Sequence, residues 1–156
     1  MNRDQSSPSP PSLISRIGFL HIRIRKECLK LFREQDFPLE VDQIPVLLFL
    51  YYTAQVTQQD ISSMLERDKA SVNRTISFLR QHGLVRVRPD DIDKRKTRVE
   101  LTPEGKRLGK RASVVLDAFG HQLASAFTES EMKEFDRLAS KLTHSIAAPT
   151  PIFTLL

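Results

Sequence analysis

The side chains of this chain best equipped for chemistry sit close together, and the chemistry is that of gripping a polyanion. In "RDKASVNRTISFLRQHGLVRVRPDDIDKRKTRVELTPEG", Arg67 to Gly105, the trio Ser71, Asn73 and Arg74 falls within four positions. A hydroxyl, a carboxamide and a guanidinium are the groups that hydrogen-bond phosphates and base edges. Downstream follow Arg86, Arg88, Lys94, Arg95, Lys96 and Arg98. Between Glu66 and Arg98 there are ten Lys or Arg against five Asp or Glu, whereas the rest of the 156 residues hold fourteen of each. The net charge of +5 is therefore confined to one stretch. A dispersed excess would bear only on solubility, while a local one points to a polyanionic partner, most simply nucleic acid.

Other chemistries find little support. His21, His82, His121 and His144 are scattered without metal-ligand spacing. No Gly-rich phosphate loop, nucleophile elbow or paired-carboxylate site is present. We therefore expect no enzyme, no cofactor and no metal. Cys28 is the sole cysteine, which excludes an internal disulfide and fits a reducing compartment. It lies on an apolar stripe with Glu27 offsetting Lys26 and Lys30, and reads as a plain buried cysteine rather than a redox sensor. Tyr51 and Tyr52 are weak candidates to line a ligand pocket, since tyrosines at the end of an apolar helix are more often core. The longest apolar run, Ile44 to Tyr52, falls far short of the roughly 20 residues that span a bilayer. The opening "MNRDQSSPSPPS" lacks the basic start and apolar run of a secretory signal, so a cytoplasmic protein without membrane partners is expected.

The elements that must position the cationic stretch follow from periodicity and capping. Residues 1–11 are polar and proline-rich and read as disordered. A long helix is predicted from near Ser12 to about Glu34, with its stripe at Leu13, Ile17, Leu20, Ile24, Cys28 and Leu31. Asp42 is expected to cap a second helix that tolerates Pro45 in its first turn and is apolar nearly all round. Thr57, with Asp60 three residues on, opens a third helix from Gln58 to Glu66. Asp68 caps a fourth, Lys69 to His82, ended by Gly83. Its inward stripe of Val72, Ile76 and Leu79 turns Ala70, Asn73, Arg74 and Ser77 outward, with Ser71 flanking. Phe78 is expected to pack against the wing or the first helix of the motif rather than to stack on anything. "LVRVRP" and "TRVEL" alternate like strands about the turn "DDIDK". Thr102 and Pro103 start a fifth helix, and Thr128 with Glu131 a sixth that carries Met132, Phe135, Leu138 and Leu142. Residues 149–156 form an apolar tail.

This order predicts a mainly α fold: a winged helix-turn-helix with a two-stranded β wing, flanked by N- and C-terminal helices. In such a motif the second helix enters the major groove, and a basic wing makes a second contact with the backbone or minor groove. From "VTQQDISSMLERDKASVNRTISFLRQHGLVRV" through "DKRK" to "VELTPEGKRL", the chain resembles the MarR-type transcriptional regulators. The resemblance runs in order from Val56 to Leu108, and the long first and last helices fit it in layout. It implies a homodimer on a pseudo-palindromic operator in double-stranded DNA, commonly a repressor released by a small-molecule effector or other signal. It implies that Ser71, Asn73 and Arg74 read or grip the major groove, that Arg95 is the wing residue, that Asp93 is the acid that holds it, and that Thr57 and Gln58 approach phosphate. Arg80, often acidic in the family, and Phe78, often polar, depart from the pattern. Expected boundaries are a single domain over 12–148, with a winged helix core at about 42–101 and dimerisation helices at about 12–34 and 103–147. The alternatives are a winged helix that serves as a protein-interaction module and a sequence-tolerant architectural DNA binder.

Overall fold

The computed structural model describes residues 12–54, 56–90, 93 and 96–146. The chain divides into two compact units, residues 1–36 and 37–156. The first contains helix α1, Leu13–Glu34, whose N-cap Ser12 accepts the Ser15 N–H at 3.2 Å. Its C-terminal half buries Cys28 and Phe32, but Leu13, Ile17 and Leu20 of the expected stripe are about half exposed, as are Ile14, Phe19 and Ile22 or more so.

The second unit contains α2 (Ile44–Tyr52), β1 (Val56–Thr57), α3 (Gln58–Met64), α4 (Lys69–Gln81), β2 (Val85–Pro89), β3 (Thr97–Leu101), α5 (Pro103–Ala124) and α6 (Glu129–Ser145). Helix α2 is apolar on every side and buries Ile44 and Val46 to Leu50, as a helix at the centre of a core must. Its N-cap is Gln43, not the expected Asp42, and no side chain caps it. Pro45 fits in the first turn because the early N–H groups have no helical partner to lose. Helix α3 opens with a full capping box: Thr57 Oγ1 accepts the Asp60 N–H at 3.1 Å and Asp60 Oδ2 accepts the Thr57 N–H at 2.8 Å. Thr128 and Glu131 form the same device at α6. Glu66 ends the α3 region with φ 48°, a left-handed position where the Arg67 N–H reaches back to the Ser62 carbonyl at 3.0 Å.

The sheet has three antiparallel strands in the order β1-β3-β2, one more than the expected two-stranded wing. The addition is short: Val56 pairs with Val99 and Thr57 with Arg98. Two residues cannot display an alternation, so nothing in the local pattern marks them as a strand. The hairpin register runs from Val85 opposite Leu101 to Pro89 opposite Thr97. Val85, Val99 and Leu101 face the core with Ile61, Val72, Ile76 and Leu79, all at most 6% exposed.

The two cation-bearing elements, α4 and the hairpin, are fastened together at their common base. Gly83 closes α4 at φ +67°, a conformation cheap for glycine alone. Thr102, the N-cap of α5, donates its N–H to the Leu84 carbonyl at 3.0 Å and its hydroxyl to the Gly83 carbonyl at 2.6 Å. Gly105 completes the clamp, because a Cβ there would lie 2.0 Å from the Leu84 carbonyl oxygen. Farther along α5, Gly109 makes room for the Tyr51 ring, whose Cδ2 would be 2.8 Å from an added Cβ. No residue of α6 is buried, and Phe135 and Leu138 are 52% and 45% exposed. Among the described residues, no helix is long and apolar enough to cross a membrane.

Candidate nucleic-acid interface

Helix α4 presents two unlike faces. Val72, Thr75, Ile76 and Leu79 are buried, while Lys69, Ala70, Asn73, Arg74, Ser77 and Arg80 are exposed. Among the described residues, no acid pairs with Lys69, Arg74 or Arg80, and no hydrogen bond engages the side chains of Asn73 or Ser77. Their donors and acceptors are thus uncommitted and point to solvent, the arrangement required of groups that are to meet base edges. Ser71 differs. It is half-buried, its N–H is capped by Asp68 at 2.8 Å, and its Oγ accepts from Arg67 Nη2 at 2.7 Å. Arg67 Nη1 also donates to the Asp42 carbonyl at 2.6 Å. Arg67 therefore pins the start of α4 to the approach of α2, and Ser71 is part of that lock.

Phe78 departs from expectation. Its ring stacks on His82 with centroids 4.0 Å apart and planes 24° from parallel. The two lie four residues apart on one helix face, the spacing at which side chains meet. His82 Nδ1 is also 2.9 Å from the Phe78 carbonyl oxygen, which holds the ring at the helix end.

The hairpin is built on the opposite plan. Arg86 Nε lies 2.7 Å and Arg88 Nε 3.0 Å from Glu100 Oε1. Arg88 stands directly across from Arg98, a like-charged pair that would repel if left alone. The repulsion is relieved in opposite directions, Arg88 by Glu100 and Arg98 by an ion pair with the buried Asp90. Lys96 Nζ is 3.7 Å from Asp93 Oδ2 and remains largely exposed. Lys94 and Arg95 lie outside the described residues, and with them the expected pairing of Asp93 with Arg95.

At the N-terminus of α3, the Thr57 hydroxyl is taken by the capping box, and the Asp60 carboxylate occupies the helix end. Gln58 is half-buried, and no protein group among the described residues bonds its amide. Of this pair only Gln58 retains a donor for phosphate. Tyr51 packs against Gly109 of α5 and meets the half-exposed Tyr52 edge-on, centroids 5.2 Å apart. Cys28 is 8% exposed, and burial, with a smaller push from Glu27, raises its thiol pKa above the usual value. A neutral thiol is a poor nucleophile, which disfavours redox sensing. Among the described residues no group of His, Cys, Asp or Glu is arranged to hold a metal.

Sequence reasoning missed three members of this region: Arg67, Asp90 and Glu100. Glu100 could have been found from the register, which sets it across from Arg86. Asp90 stands in the acidic run of Asp90, Asp91 and Asp93, where composition does not distinguish one acid from the next. Arg67 meets a carbonyl 25 residues away, which no local pattern reveals.

Comparison with known proteins agrees with this geometry. The sequence profile described as the MarR family matches residues 36–96. YwoH, an HTH-type transcriptional regulator of Bacillus subtilis (strain 168), is 31% identical over 104 residues, which cover 67% of this chain and 75% of YwoH. The fold is similar to that in the crystal structure of the S. aureus MepR–DNA complex, with a TM-score of 0.77, 21% identity and coverage of 87% of this chain and 99% of MepR. It is also similar to a MarR transcriptional regulator from Methanosarcina mazei Go1, with a TM-score of 0.72, 25% identity and coverage of 83% and 92%.

Proposed function

Because the chain belongs to the MarR family and is thus a DNA-binding transcriptional regulator and not an enzyme, we propose that it acts as a homodimeric repressor on a pseudo-palindromic operator and is released by a small ligand or other signal. The observation that carries the reading is the uncommitted outward face of α4, where Asn73, Arg74 and Ser77 stand ready for the major groove beside a cationic hairpin. In our assignment Asn73 and Arg74 read bases, and Ser71, Gln58 and Thr57 stand at the edge of the contact. Lys94, Arg95 and Lys96 grip the backbone from the wing tip, with Arg86, Arg88 and Arg98 behind them. The winged helix core at about 42–101 carries the DNA contacts.

A homodimer is supported by apolar surface that one chain leaves uncovered. Ile14 is 82% and Phe19 65% exposed on α1, and Phe135 and Ile146 are 52% and 75% exposed at α6 and just beyond it. Helices at about 12–34 and 103–147 form the dimer in this reading, since patches of this kind mark association surfaces.

The test is selection of bound duplexes from a random pool, together with sedimentation of the protein at micromolar concentration. The reading expects a dimer, and a recovered site with two inverted half-sites about one helical turn apart. A stable monomer would remove the dimer. A pool without enrichment would favour a sequence-tolerant binder, and a protein that holds no duplex at all would favour the interaction-module alternative. Derepression in cells on addition of candidate ligands, with the protein's abundance unchanged, tests release.

A further inference from the structure

A helix that reads bases must be held in place to within about half an ångström, because hydrogen bonds weaken steeply outside a narrow range of length and angle. The buried stripe of Val72, Ile76 and Leu79 gives α4 its attraction to the core, but apolar packing is non-directional. The cap of the helix does not supply the missing direction. Asp68 accepts the N–H of Ser71, three residues on, in a contact that travels with the helix. Arg67 is placed otherwise. Its N–H is fixed on the Ser62 carbonyl of α3 at 3.0 Å. Its guanidinium spans from the Asp42 carbonyl, one residue before the N-cap of α2, to Ser71 Oγ in the first turn of α4. The two bonds leave from different nitrogens, Nη1 at 2.6 Å and Nη2 at 2.7 Å. Among the described residues, no other side-chain hydrogen bond ties residues 65–81 to the chain outside α3 and α4. One half-buried side chain thus sets the start of α4 against the entry of the core helix α2.

We infer that Arg67 is a positioning residue for base reading: it places the first turn of α4 so that Asn73 and Arg74 meet base edges, and Ser71 is its strut and not a reader. The inference rests on the reading of α4 as the helix that reads bases. It reassigns Ser71, which the sequence places among the groove contacts. The rival reading makes Arg67 a phosphate anchor, since no acid pairs with its charge among the described residues. The chemistry separates the two. An anchor acts through charge, which lysine keeps. A positioning residue acts through the planar fork that holds two acceptors at once, which lysine lacks.

The experiment measures binding of the full-length protein to the selected operator and to a scrambled duplex over a range of salt. The readout is the ratio of the two affinities. A variant that is merely less stable lowers both together and leaves the ratio unmoved. Arg67→Lys and Arg67→Gln should each lower the ratio about tenfold through the operator alone, the size of a lost base contact. The salt slope on the scrambled duplex should not change. Ser71→Ala removes a single oxygen and serves if the Arg67 variants do not fold. It should give a loss of the same kind, and should cost nothing further when combined with Arg67→Lys. A lysine variant that keeps the operator affinity would overturn the inference. So would a glutamine variant that weakens both duplexes alike with the salt slope smaller by about one, the mark of a phosphate anchor. A Ser71→Ala loss that adds in full to that of Arg67→Lys would make Ser71 a reader and overturn it as well. Asn73→Ala and Arg74→Ala, run beside these, test the premise. If neither moves the ratio, the base-reading assignment of α4 falls first and the inference with it.

Discussion

Helix α4 and the β2–β3 hairpin both carry cations, yet they handle them in opposite ways. On α4, Lys69, Arg74 and Arg80 have no acidic partner among the described residues; on the hairpin, Arg86, Arg88, Lys96 and Arg98 each have one. The difference follows from how each element is held. Helix α4 is fixed by its buried side, where Val72, Ile76 and Leu79 are at most 2% exposed, and its backbone bonds are internal. Its outer face is therefore free of structural duty. The hairpin is buried on one face alone, through Val85, Val99 and Leu101, and the side chains of its outer face brace one strand against the other. Among the described residues, then, the cations of the helix are uncommitted, whereas Arg86, Arg88, Lys96 and Arg98 of the hairpin are engaged with acids.

The sharpest way to break the comparison is to undo the base that both elements share. Gly105→Ala forces a Cβ to within 2.0 Å of the Leu84 carbonyl oxygen, a backbone atom that cannot step aside. We expect a loss of about 3 kcal/mol or more in chemical denaturation, at the upper end for overpacking. A near-neutral result would show that α4 and the hairpin are not joined there. Next in size is Arg98→Ala, which leaves Asp90 buried without its main counter-charge. Because Arg98 is 30% exposed and water can partly replace it, the expected cost is about 1–3 kcal/mol and not the full penalty of a dry ion pair. A change below about 0.5 kcal/mol, the range of an ordinary surface substitution, would make the Asp90 brace ornamental. The smallest effect belongs to Arg86→Ala. Its side chain is 66% exposed and Glu100 retains Arg88, so stability should move by under about 0.5 kcal/mol. If Arg86 proves as costly as Arg98, the brace is spread along the hairpin and not centred on Asp90.

Much of this contrast was legible in the sequence, and what was not has a physical cause. Caps and faces are local, so Thr57 with Asp60, Thr128 with Glu131, and the inward stripe of α4 could be read within a few residues. The fold class and family followed from those elements in order. The sequence shows the wing cations Arg86, Arg88 and Arg98 but not the acids they pair with across the strands. Whether Arg88 is paired or exposed depends on a register that places Glu100 across from Arg86, and register is a property of two strands together. Strand β1 escaped notice because two residues carry no period. Ser71 was placed correctly at the flank of α4, but its bond to Arg67 comes with a loop that also reaches Asp42, and such a loop closes only in three dimensions.

The central claim is that the uncommitted face of α4 reads sequence while the braced hairpin grips backbone. Its most direct test is binding of the parent, Asn73→Ala and Arg74→Ala to an operator in which every base pair is varied singly, at fixed salt. Each residue that makes a bidentate base contact should, when removed, erase about 1–3 kcal/mol of discrimination at particular positions and leave nonspecific affinity and folding stability nearly unchanged. A loss spread evenly over every operator variant, for both substitutions, would make these residues phosphate anchors and contradict the account.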